Sequence, residues 1–134
     1  MKGPTESPIE RIITQDDPQT LVDEAQKLAG RLKADEATKT QVRRLFGTLR
    51  QIEMSWPPQT KGPEEIQQRD DAYRELVLFG PRLAYQVDRH KSLGPLAKAI
   101  QEGIKHVSKD DRRQLERLVQ FFEATVAYYV AGAD

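Results

Sequence analysis

Apolar residues return at intervals of three and four along most of this 134-residue chain, and no stretch alternates with period two. That pattern decides the fold class, because a helix gathers positions i, i+3, i+4 and i+7 on one face whereas a strand gathers every second residue. No Asn-Gly or Asp-Gly hairpin turn interrupts it. The expected fold is all-α, a compact bundle of five to six helices.

Residues 1–15 hold Pro4 and Pro8 and little periodic apolar content beyond Ile9, Ile12 and Ile13. A flexible N-terminal arm is expected there, able to dock through the isoleucines, with a single helical-bundle domain over 16–134. Asp16-Asp17-Pro18 opens a first long helix, with acidic caps and proline in the first turn, that ends near Lys33. Thr38 or Thr40 caps the next, whose apolar set runs from Val42 through Leu45, Phe46, Leu49 and Ile52 to Trp56, a plug at the helix end before Pro57-Pro58. Pro63-Glu64-Glu65 opens a third, in which Gly80-Pro81 is expected to break or kink the helix before it continues toward Arg89. Gly94-Pro95 starts a fourth, and Ser108 with Asp110-Asp111 caps a fifth, striped by Leu115, Leu118, Val119, Phe122, Val126 and Tyr129. Phe121 and Tyr128 form a second row on that helix, read as core packing, and Glu123 at its edge is read as a structural anchor.

Several chemistries are closed to such a chain. With no cysteine, thiolate catalysis, disulfides and Cys-type zinc sites cannot occur. His90 and His106 are the only histidines and lack metal-ligand spacing, so neither metal nor cofactor is expected. The N-terminal segment lacks a secretory h-region, and no run nears the roughly 20 apolar residues of a membrane span, so the expected place is the cytoplasm with no membrane partner. Adjacent carboxylates such as Asp70-Asp71 and Asp110-Asp111 point apart on a helix and read as caps. No phosphate-binding glycine loop and no nucleophile-base pair is present, and a non-enzymatic role is expected.

Charge is the informative property. The chain carries 21 Lys+Arg against 21 Asp+Glu, but a partner meets a local distribution rather than a sum. Between Thr38 and Ile52 stand Lys39, Arg43, Arg44 and Arg50 and no acid, while Glu64, Glu65, Asp70, Asp71 and Glu75 face only Arg69 and Arg74. At about 100° per residue, Lys39, Arg43 and Arg50 share a narrow sector beside Phe46, with Arg44 pointing elsewhere. A line of cations suits a phosphate backbone, and it equally suits a solvated face paired with acids nearby. A second cluster, Arg82, Tyr85 and Arg89 with Gln86, follows Pro81. Arginine beside an aromatic fits single-stranded nucleic acid, although Arg82 and Arg89 could as easily pair with Asp88 or Glu75, and Tyr85 reads better as core.

Three segments taken together resemble the small helical subunit of type III-A CRISPR-Cas (Csm) interference complexes: Thr40-Gln41-Val42-Arg43, Pro81-Arg82-Leu83-Ala84-Tyr85 ending at Arg89, and Glu123-Ala124-Thr125-Val126-Ala127-Tyr128. The order, spacing and chain length carry the likeness over residues 20–132. The resemblance implies a non-catalytic bundle in a crRNA-guided antiviral complex. It would stand in several neighbouring copies beside the backbone and large subunits, lining the channel that holds crRNA and target RNA. It also implies that Arg43 and Arg89 face RNA, whereas Glu123 and Tyr128 hold the fold. Helical geometry adds Lys39, Arg50 and Arg82 to the RNA-binding set. Two other classes remain: a small helical enzyme of the chorismate mutase type, gripping an anionic substrate with arginines inside the bundle, and a protein-binding adaptor using Phe121 and Tyr128.

Overall fold

Serine, aspartate and proline mark where the helices begin. In the computed structural model, which describes residues 6–132, Ser7 Oγ accepts from the Glu10 amide at 3.1 Å and opens α1 (Pro8–Gln15). Asp17 accepts from Thr20 N at 3.1 Å at the head of α2 (Pro18–Arg31). Asp35 does the same for α3 (Glu36–Ser55), accepting from Thr38 N at 2.7 Å. Glu65 reaches back to the Gly62 amide at 2.8 Å before α4 (Pro63–Arg89). A 3-10 turn, Lys91–Leu93, leads into α5 (Gly94–Lys105), and Asp111 accepts from Arg113 N at 3.1 Å as α6 (Arg112–Gly132) begins. Each contact satisfies an amide that the first helical turn leaves without a partner. Among the described residues there are six α-helices and no strand.

Three expectations change. Residues 8–15 are not a loose arm: they form α1, and Ile9, Ile12 and Ile13 are buried in the shared core, the dock that the isoleucines allow. Residues 1–5 of the expected arm lie outside the described residues. The cap of α3 is Asp35, because its carboxylate lies one turn before the Thr38 amide; Thr38 itself is buried inside the helix, its Oγ1 2.7 Å from Ser92 Oγ in the 3-10 turn. Finally, α4 runs on through Pro81 without a break. The hydrogen bond that proline cannot donate falls on the outer side, where Val77 and Pro81 are exposed, while Leu76, Phe79 and Leu83 anchor both halves in the core.

The core centres on α6, which packs against α1, α2, α3 and α5, most extensively against α2. Phe121 and Phe122 are buried, and Phe122 meets Phe46 of α3 with ring centroids 5.3 Å apart. Trp56 plugs the end of α3, edge-on to Tyr73 at 6.2 Å. Arg112 fastens the same end by donating to Trp56 O at 2.9 Å and Glu53 O at 3.1 Å, and Arg117 donates to Ile13 O at the end of α1 at 2.9 Å. No helix among the described residues is long and apolar enough to cross a membrane.

Candidate nucleic-acid interface

The four cations of α3 fare differently. Lys39 is largely covered, its side chain 19% exposed and 4.0 Å from Glu36. Arg50 pairs with Glu53 at 2.7 Å. Both acids lie just outside the acid-free stretch, at the i, i+3 spacing that lets helix neighbours meet. Arg43 and Arg44 are exposed, and neither has a carboxylate within 4.0 Å among the described residues. Arg43 is near enough to Tyr129 for its charge to oppose, without cancelling, the upward push on that phenol from burial and from Asp35. Phe46, beside Arg43 on the helix, meets Phe122 of α6, so the Arg43 side of α3 lies next to α6.

The cations of α4 lie on another flank. Arg82 pairs with Glu75 at 3.1 Å. Arg89 sits over the Tyr85 ring, 5.8 Å from its centroid, with Nη1 3.4 Å from the hydroxyl. Asp88 pairs with Lys91 at 3.6 Å rather than with Arg89. Tyr85 is not a core residue but is 58% exposed. It stands two positions beyond buried Leu83, about 200° around the helix and thus on the opposite side.

Between α3 and α4 lies a groove of about 380 Å³, with Leu45 and Phe79 in its lining and Arg44, Arg82 and Tyr85 around it. The structure thus divides the expected RNA-binding residues. Lys39, Arg43 and Arg50 share one flank of α3; Arg82 and Arg89 share the groove side of α4, where they are joined by Arg44. A helical wheel correctly sets Arg44 apart from the other three, but only the packed neighbour shows that its direction leads into a groove. The available signal is Gln41, Arg44, Leu45 and Thr48, a strip at i, i+3, i+4 and i+7 that turns toward α4.

Other candidate residues play smaller parts. Glu123 is exposed and makes no ion pair among the described residues, so it does not anchor the fold, while Tyr128 is half-buried against the core. His106 Nε2 lies 3.0 Å from Glu102 Oε2. No group of three His, Asp or Glu side chains among the described residues is placed to hold a metal ion.

A model of the Csm2 Type III-A family matches residues 15–132. The chain matches no curated protein and no solved structure. Carried by a match that spans nearly all of its length, and by the helical bundle itself, the chain belongs to the Csm2 Type III-A family, the small subunit of type III-A CRISPR-Cas (Csm) effector complexes.

Proposed function

We propose that this small subunit is non-catalytic and lines the guide and target RNA channel of its complex in the cytoplasm. It would hold RNA through sugar and phosphate, with neighbouring copies of itself repeating the contact. The observation that carries this reading is the pair Arg43 and Arg44, adjacent, exposed and free of carboxylate partners among the described residues. Guanidinium groups in that state are available to phosphate, and base pairing between guide and target supplies specificity without help from this chain. An enzyme of the arginine-cage type needs charged groups inside the bundle, whereas the buried polar residues among those described are Thr38 and Thr125.

The test is a complex assembled with Arg43→Ala and Arg44→Ala together, titrated with target RNA across a range of salt. Affinity should fall, and the slope of log K against log salt should become shallower by roughly 0.7 for each single-strand phosphate that is no longer bound. An unchanged affinity and slope in an intact complex overturns the assignment.

A further inference from the structure

The groove between α3 and α4 combines features that backbone binding does not require. Phosphate needs cations alone, yet this groove has an apolar floor of Leu45 and Phe79, with Pro81 beside it. Tyr85 stands at its edge, more than half exposed. The ring is steadied on one side by the Arg89 guanidinium, 5.8 Å from its centroid. At about 380 Å³ the space falls within the range of roughly 300–1,000 Å³ typical of small-ligand clefts. Of the charges around it, Glu75 offsets Arg82 and Lys91 offsets Asp88, leaving Arg44 and Arg89 as surplus positive charge. An apolar slot with an open aromatic face and a cationic rim complements a flat apolar ring carried between two anions.

Resting on the RNA reading above, we infer that this groove seats one unstacked base of the bound RNA. The base lies on the Tyr85 ring, and its flanking phosphates meet Arg44 and Arg89, the two cations without a carboxylate partner among the described residues. Such a seat tolerates any sequence, since every base has a π-face. It also assigns a task to Tyr85 that no arginine performs.

The test uses the assembled complex, with 4-thiouridine placed in the guide in one arm and in the target in the other. Irradiation followed by mass spectrometry should find the RNA adduct on the tryptic peptide Leu83–Arg89, and the adduct should vanish in Tyr85→Ala. RNA affinity should drop about 5-fold or more in Tyr85→Ala, the lower end of what removing one stack costs, and be retained in Tyr85→Phe, which keeps the ring. Because Tyr85 is exposed, both variants should fold. If Leu83–Arg89 carries no adduct and Tyr85→Ala binds normally while the Arg43/Arg44 variant still weakens binding, the base seat is wrong and backbone contact stands. If the arginine variant is also silent, both readings fall. A Tyr85→Ala variant that fails to enter the complex places another protein chain in the groove and likewise overturns the inference.

Discussion

Arg112 shows how a single side chain can close two elements at once. At the first position of α6 it donates from Nε to Trp56 O and from Nη2 to Glu53 O, satisfying carbonyls at the end of α3, while Nη1 pairs with Glu116. Arg112→Ala should cost about 1–3 kcal/mol, and Arg112→Lys should recover little of it because an ammonium lacks the planar fork; thermal melting would measure both. Glu102 behaves differently. The hydrogen bond from His106 holds its carboxyl below the usual carboxylate range, against the opposing push of burial, and Ser7 donates to the same oxygen at 3.3 Å. A carboxylate whose folded pKa is depressed contributes stability that is complete above its unfolded value, 4.5 here, and is lost as pH falls through the folded value. The stability difference between the native chain and Glu102→Gln should therefore narrow as urea midpoints are followed from near neutrality to below about pH 4. A difference that widens in acid contradicts the assignment.

At the scale of elements, α1 and the approach of α5 to α6 carry the sharpest expectations. Ile12 and Ile13 are fully buried, and each contributes about 1.5–3 kcal/mol by leaving water. Removing residues 1–15 should thus cost an appreciable part of a typical total of about 5–15 kcal/mol and leave a chain that unfolds at much lower denaturant. A true loose arm would be removed without effect. Gly103 marks where α5 approaches α6: a Cβ there would meet Leu118 Cδ1 at 2.5 Å, and Leu118 is fully buried. Gly103→Ala should destabilise by roughly 1–3 kcal/mol despite its better helix propensity. Gly47→Ala, with nothing within 4 Å of the new carbon, should stabilise by about 0.5–1 kcal/mol. The helices were legible because period and caps are local properties. What escaped was nonlocal. Three isoleucines over eight residues are too few to announce a helix, but a packed neighbour supplies the burial that fixes it, and a proline is survivable when its missing bond falls outward, which only the fold reveals.

For the molecule as a whole, a formal charge of zero conceals a sorting of cations into paired and unpaired. The acid-free stretch of α3 was visible in the sequence, but its outer members are neutralised from just beyond its ends. The groove that gathers Arg44 with Arg82 and Tyr85 depends on how two helices pack. Glu53→Gln should release Arg50, strengthening RNA binding by the complex and steepening its salt slope by roughly 0.7 if one phosphate is gained. Fluorescence anisotropy at two salt concentrations would show it, and an unaltered slope would mean that Arg50 faces no RNA. The position of α6 in the chain has a consequence for biosynthesis. It is translated after every helix it covers, so until Arg112 and the residues beyond it emerge, α1, α2, α3 and α5 have apolar faces but no common partner. Much of the folding free energy is thereby deferred until α6 has emerged. A ribosome that stalls before that point should release an adhesive, protease-sensitive fragment rather than a smaller working subunit.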